Sequence, residues 1–561
     1  MDRICRHCSQ AFEVTDGDME FYDKVSPVFG GKKELIPPPT LCPPCRERRR
    51  MAWRDERKWY NGTCGKCAKG IVTLYRPGTP YVSYCHACWW NQDMDPLRYG
   101  VPYDLGKSFN EQFLDLEKRM PHLALMNDDG VASENCEFTQ DFAFGKNCFM
   151  VVGSWNVRDS LYSTTVNQNT ADAMDCEYLH ESRITYECQY GQRLYDCRFL
   201  RNSEDCNGCS FGFDLKGCSD CFGCVGLRHK QYCIFNKQYS REEYSRMMKE
   251  VDLSSHTVLE GMKRRFADFL VTVPQRSTFM NNCENCQGDN MMNCKDTFGY
   301  DLYGAQDCRY FTRCDTAQYC YDILQSGKPQ WCLEGLTPDE SYMSHFVQWT
   351  WKCRNVLYSD NCHSSENLFG CVGLKRANYC ILNHQYTKEE YEELVPKIIE
   401  RMRKDGEWGE FFDPSLSPFG YNETVAQEYY PLEKEEALQL GFNWSDYISP
   451  PPQVEKIVKA SQLPDSIRDV PDAILEWAVE CDVSGRPFRI IKQELKFLRE
   501  HGLPLPRRHP DVRHLDRMKL RNPRKLFDRS CMKCSKSIQT TYAPDRPEIV
   551  YCEECYLKEV Y

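Results

Sequence analysis

One stretch of this chain is written twice, and that duplication restricts the possible folds more than any other feature. Residues 42–88 read CPPCRERRRMAWRDERKWYNGTCGKCAKGIVTLYRPGTPYVSYCHAC, and residues 509–555 read HPDVRHLDRMKLRNPRKLFDRSCMKCSKSIQTTYAPDRPEIVYCEEC, at a constant offset of 467. No gap is needed, and 19 of the 47 positions are identical. Arg46/Arg513, Arg50/Arg517, Arg54/Arg521, Arg57/Arg524 and Lys58/Lys525 are among them, and Cys64, Cys67, Cys85 and Cys88 recur as Cys531, Cys534, Cys552 and Cys555. Paired thiols at fixed spacing mark a metal-binding module at each end of the chain.

Residues 1–100 carry four Cys-x2-Cys pairs: Cys5/Cys8, Cys42/Cys45, Cys64/Cys67 and Cys85/Cys88. Two-residue spacing turns both thiolates of a knuckle onto one ion, and tetrahedral zinc takes four such ligands, so eight imply two ions. The C-terminal copy, residues 472–561, decides how the pairs combine. There Cys5 and Cys8 correspond to Cys481 and Ser484, and Cys42 and Cys45 to His509 and Val512. Cross-braced pairing would leave that copy with two broken sites beside four preserved cysteines. Sequential pairing leaves one intact site and one abandoned site. The expected ligand sets are therefore Cys5, Cys8, Cys42, Cys45; Cys64, Cys67, Cys85, Cys88; and Cys531, Cys534, Cys552, Cys555, holding three structural Zn2+ per chain. A knuckle followed by a Cys pair that opens a helix is a treble-clef arrangement. The spacing Cys64-x2-Cys67-x17-Cys85-x2-Cys88 is similar to that of GATA-type fingers, without their DNA specificity following from it.

After Cys45 the sequence predicts a helix rich in Arg46, Arg48, Arg49, Arg50, Arg54, Arg57 and Lys58, with Met51, Trp53, Trp59 and Tyr60 between. Basic residues interleaved with aromatics can neutralise phosphates and stack on unpaired bases. The competing reading is a solvated face whose aromatics pack on the knuckles. In the C-terminal copy, residues 486–536 hold 16 Lys and Arg against 5 acidic residues. Arg507, Arg508, Arg513, Arg517, Lys519, Arg521, Arg524 and Lys525 form the patch. Candidate nucleic-acid contacts are Arg46, Arg49, Arg50, Arg54, Arg57, Lys58, Arg507, Arg508, Arg513, Arg517, Arg521, Arg524 and Lys525.

The middle of the chain contains a second duplication, residues 136–250 against 283 to about 398, at an offset of 147, the second copy extending with its closing helix over 283–404. FGCVGLRHKQYCIFNKQYSREEY (222–244) matches FGCVGLKRANYCILNHQYTKEEY (369–391), and each copy closes with a helix opened by a capping box, Ser240/Glu243 and Thr387/Glu390. Inside each copy a unit of Cys, a polar residue and an aromatic recurs, as in Cys176-Glu177-Tyr178, Cys197-Arg198-Phe199 and Cys308-Arg309-Tyr310. On a strand, positions i and i+2 share a face, so the thiol and the ring are both expected to point inward. Cysteine steps of 9 and 12 residues fit short strands of a stacked coil better than any helix. The alternative for Cys206, Cys209, Cys218, Cys221 and Cys224 is a metal cluster. The second copy argues against it by placing Val356, Ser365 and Leu368 at three of those positions. Residues 101–135 and 405–471 read as linker and mixed segments, the latter containing Pro450-Pro451-Pro452, and 251–282 as a helical connector.

The fold class is thus multidomain: small α+β treble-clef or zinc-ribbon modules at both ends, and a duplicated all-β, solenoid-like, Cys-rich middle with capping helices. At 561 residues one core is insufficient. Thirty-five cysteines without a basic-then-apolar signal in MDRICRHCSQ favour metal sites and buried thiols over disulfides, and a cytoplasmic location. No apolar run approaches the roughly 20 residues of a membrane helix. The net charge of −11 is polarised: residues 1–120 hold 19 basic against 16 acidic side chains and 486–561 hold 18 against 10, which leaves −22 between.

LCPPCRERRR near the start, the FGCVGL repeats and the ending RPEIVYCEECYLKEVY resemble a group of bacterial Cys-rich proteins in which zinc-ribbon pairs bracket a repeat region. That resemblance implies the architecture and carries no activity. The middle also resembles pentapeptide-repeat β-helices, from which steps of 9 and 12 depart. No nucleophile, base or open metal position has supporting spacing, so no catalytic residue and no enzyme is expected. The primary expectation is nucleic-acid binding, to structured RNA or a ribonucleoprotein, through the basic helices. The second is a protein-interaction scaffold that docks partners on the acidic solenoid, its zinc sites purely structural.

Overall fold

The computed structural model describes residues 1–127 and 133–561. The chain forms two units, one made of residues 1–126 and 280–447 and the other of 127–279 and 448–561. The N-terminal module therefore shares a unit with the second Cys-rich copy, and the C-terminal module with the first.

Each Cys-rich copy is a coil of parallel strands. Gln140 pairs with Val152, Arg198 with Ser210 and Cys221 with Cys233 in one unit. Leu333 pairs with His345 and Leu368 with Cys380 in the other. Most partners are twelve residues apart. Every third residue from Asp175 to Asp205 is left-handed, with φ between 48° and 58°. A twelve-residue coil bent at every third residue has four corners and sides of three residues. The corner N–H groups bond carbonyls of the preceding coil, as Asp205 does to Gln192 O (3.1 Å) and Gly208 to Tyr195 O (3.0 Å). These bonds offset the cost of the left-handed backbone.

The bend replaces the period of two with a period of three. Cys176, Leu179, Cys188, Leu194, Cys197, Leu200, Cys206, Cys209, Leu215, Cys218, Cys221 and Cys224 all point into the coil and form its core. A coil this narrow admits only small or slender side chains, and the thiol fits as a small apolar group. Its S–H still finds an acceptor: Cys188 Sγ lies 3.5 Å from both Tyr186 O and Cys197 O. The expectation that thiol and aromatic share the interior is therefore corrected. Tyr178, Tyr190, Phe199, Phe211 and Tyr310 sit at left-handed corners, where the chain turns before alternation can return them inward. They stack on the outer face instead, Tyr178 on Tyr190 (4.9 Å) and Phe199 on Phe211 (4.6 Å).

Each coil ends in an antiparallel strand, Lys237–Gln238 or His384–Gln385, which closes its last edge. The closing helices Arg241–Lys249 and Lys388–Asp405 both open with the expected capping boxes. The segments expected to be linkers largely supply core. Phe109, Phe113 and Leu116 of helix Phe109–Arg119 are buried, as are Trp408, Phe411, Phe412, Tyr421 and Phe442. The triple proline falls just after the boundary between the units at Tyr447.

The corners carry side-chain ladders as well. Asn355 Nδ2 donates to Asn367 Oδ1 (3.2 Å), and Asn367 Nδ2 to Asn378 Oδ1 (2.9 Å). Asn355 has φ 52°, a region that β-branched residues avoid. Asn355→Val is expected to lower the stability of its unit by about 1–2 kcal/mol in denaturant titration, whereas Asn355→Gly should cost less.

Candidate metal centres and the basic helices

Three groups of four thiols converge, and in each the sulfurs lie within 4.8 Å of one another: Cys5, Cys8, Cys42, Cys45; Cys64, Cys67, Cys85, Cys88; and Cys531, Cys534, Cys552, Cys555. These are the sets that sequential pairing requires. The local cause is one knuckle repeated. Cys5 N–H bonds Gln10 O, Cys64 N–H bonds Lys69 O and Cys531 N–H bonds Lys536 O, at 2.8–2.9 Å. The second pair of each set begins at a helix N-terminus: Cys42, Cys85 and Cys552 are the N-cap residues. Sulfur separations of 3.6 Å for Cys8–Cys42 and 3.8 Å for Cys67–Cys85 and Cys534–Cys552 match the edge of about 3.8 Å that a tetrahedron with 2.3 Å metal–sulfur bonds would have. Burial pushes the Cys64 and Cys531 thiols up, but backbone N–H groups of their own loops outweigh it and hold both at about 6. Each donor set fits a metal ion held by four thiolates.

The fourth knuckle keeps its shape without its ligands. Cys481 N–H still bonds Arg486 O (3.1 Å). His509 Nδ1, however, accepts from the Asp511 N–H (3.1 Å), and Cys481 packs with Phe488 in the apolar core. Cys206, Cys209, Cys218, Cys221 and Cys224 form no metal-competent group among the described residues; successive inward positions string them along the coil.

The basic helix Pro43–Met51 lies against the coil of its own unit. Arg46 Nε and Nη2 each meet Asp322 at 2.9 Å, and Arg50 Nη2 reaches the same carboxylate at 3.2 Å. Arg49 Nη2 donates to both Glu334 carboxylate oxygens (3.0 and 2.9 Å) and Nη1 to Glu410 (2.7 Å). Arg54 donates to Thr337 (3.0 Å), Gln325 (2.9 Å) and Glu56, and its guanidinium covers the Trp349 ring. Burial raises the Glu56 carboxyl, but Arg313 and Arg54 overcome it and hold it at about 2. Asp322 and Glu334 occupy corners twelve residues apart, so they stack on one outer face and present a ledge of acceptors.

The C-terminal helix Pro510–Lys519 repeats this in the other unit. Arg517 Nη1 lies 2.7 Å from Asp175, and Arg513 Nη1 lies 3.3 Å from Asp175 and 3.0 Å from Glu494. His514 and Arg517 meet Glu177 at 2.9 and 3.5 Å, and Arg521 lies over Tyr178 and Tyr190. Asp322 and Asp175 are related by the offset of 147, and their arginines by the offset of 467. One two-arginine, one-aspartate contact thus occurs in both units. Neither the carboxylates nor their roles were singled out in the sequence. Superimposing the two offsets is the signal that could have found them.

This burial corrects the expected phosphate-gripping surface. Arg46, Arg49, Arg50, Arg54, Arg57, Arg513 and Arg517 are between 1% and 7% exposed. Arg46, Arg49, Arg50, Arg54, Arg513 and Arg517 meet carboxylates of their own unit because each helix docks to cover its unit's core. Lys58, Arg507, Arg508, Arg521 and Arg524 are half-buried, and Arg508 pairs with Asp516 and Asp482. Lys519 and Lys525 are exposed.

No family model and no curated protein matches the chain. No helix among the described residues is long and apolar enough to cross a membrane.

Metal analysis of the full chain is expected to give three thiolate-bound ions, and chelation should unfold the end modules while strand circular dichroism from the coils persists. Arg50→Ala or Arg517→Ala leaves a buried carboxylate short of its partner. Each should cost its unit about 3–5 kcal/mol in denaturant titration, whereas Lys525→Ala should stay within about 0.5 kcal/mol.

Proposed function

We propose that this chain is a non-enzymatic scaffold, in which three structural zinc ions hold terminal modules that brace two solenoids, and that its partners are proteins docking on the open solenoid faces. The observation that carries this reading is the fate of the arginines: both basic helices are occupied by carboxylates of their own unit. Four-cysteine sites saturate a tetrahedral ion and leave no position for substrate, which supports a structural role for zinc. The faces not covered by modules carry exposed ladders such as Asn135–Asn147–Asp159 and Asn282–Asn293. They are regular and polar, and they suit a protein contact made through hydrogen bonds.

A second reading keeps structured RNA or a ribonucleoprotein as partner, now confined to the C-terminal module, where Lys519 and Lys525 are exposed. Filter retention of structured RNA by the full chain separates the two. The scaffold reading expects no retention at about 0.1 M salt. Retention that falls steeply with salt and is weakened by the double variant Lys519→Glu, Lys525→Glu would overturn it in favour of RNA, because phosphate binding releases counterions. Cross-linking of the protein purified from its native cells should then place partner peptides on the Asn ladders.

A further inference from the structure

In the unit of residues 1–126 and 280–447, three buried side chains meet away from the thiolate sites. Glu117 lies near the end of helix Phe109–Arg119, His122 on strand His122–Leu123, and Asp360 on the coil. Each is 2% exposed, and their donor atoms lie within 4.8 Å of one another. His122 Nε2 is 3.6 Å from Glu117 Oε2 and 2.7 Å from the Glu117 carbonyl oxygen, which fixes the ring. The Asn361 N–H beside Asp360 bonds the Gln348 carbonyl oxygen (3.0 Å). Tyr75 and Tyr81 flank the imidazole at 5.0 and 5.4 Å.

The cluster's charges are not balanced as those beneath the basic helices are. Glu117 Oε1 and Asp360 Oδ1 are buried without a hydrogen-bond partner. Among the described residues neither carboxylate is paired with a lysine or arginine. His122 Nε2 donates to the Glu117 carbonyl, so the ring nitrogen that can take a cation is Nδ1.

The other unit shows that the fold does not need these charges. Ser83 pairs with His122, and its counterpart Val550 pairs with Gln275. Gln275 Nε2 donates to Leu270 O (3.1 Å), as His122 Nε2 meets Glu117 O. Asp360 corresponds to Phe213 at the offset of 147. One unit closes this place with Leu270, Gln275 and Phe213, and the other buries two carboxyl groups and an imidazole there, which burial alone disfavours.

We propose that Glu117, His122 and Asp360 bind one divalent first-row cation, a fourth metal site with oxygen and nitrogen donors in place of sulfur. Carboxylate and imidazole donors suit Mn2+, Fe2+ or Zn2+. An ion here supplies the missing positive charge and ties the segment 109–123 to the coil.

The full chain, purified without chelator or refolded with Zn2+ and Mn2+ supplied, should contain four divalent ions. Bound Mn2+ should be detectable by electron paramagnetic resonance at one per chain, since thiolate sites disfavour it. The triple variant Glu117→Leu, His122→Gln, Asp360→Phe, built from the other unit's residues, should fold and contain three. Should it fail to fold, Asp360→Asn serves instead and should weaken Mn2+ binding at least tenfold. Wild-type protein that keeps three ions under Mn2+ and Zn2+ loading overturns the proposal in favour of carboxyls that simply stay protonated, as does a triple variant that keeps four. Cobalt–thiolate absorption of a parallel sample refolded with Co2+ reports the four-cysteine sites, so their failure is read separately.

Discussion

The contact between two arginines and one buried aspartate is what the rest of each unit depends on. Asp322 with Arg46 and Arg50, and Asp175 with Arg513 and Arg517, place the basic helix across the outer face of a coil and thereby fix where the knuckles before and after that helix lie. Pairs buried this deeply gain little net free energy, because desolvation cancels most of the attraction, yet removing one partner is costly. Their effect is on register. Helix and coil fit in one position, where every guanidinium meets its carboxylate, and a displacement by one turn would leave several charges bare in the interior.

The coil makes that ledge possible. Left-handed residues at every third position bend the chain four times in twelve residues, and stacked corners twelve apart put Asp322 directly beside Glu334 in the next coil. The interior that results is narrow and takes few rings, Phe142 and Phe311 among them. Thiols fill it because sulfur is apolar enough to bury and its S–H can still reach a carbonyl. The abundance of cysteine thus has two unrelated origins in one chain: four-thiol groups that fit a metal ion in the knuckles, and small-volume packing in the coils.

Much of this was legible. The spacing of the Cys pairs gave the three ligand sets, and the damage at Ser484, His509 and Val512 gave their pairing, because a lost ligand exposes which others it served. The duplications of 467 and 147 residues, the coil and both capping boxes were likewise readable. The direction of the rings was not: Tyr178 and Phe199 follow a cysteine by two positions, which alternates inward on a straight strand and outward on one that turns between them. Segments 101–135 and 405–471 read as linkers because their aromatics lack a period, and Phe113 and Phe412 become core only by meeting each other (4.7 Å).

The sequence by itself determined the modules, their ligands and the coil, since each rests on contacts that are local or repeat at a fixed step. Only the tertiary structure decided what the arginines do. Arg46 and Asp322 are 276 positions apart, and nothing local distinguishes a guanidinium destined for a carboxylate from one left for a phosphate. Burial makes that choice, and burial is a property of which coil each module packs against. The same holds for Glu117, His122 and Asp360, three ordinary residues in sequence whose chemistry exists only because the fold brings them together and excludes water.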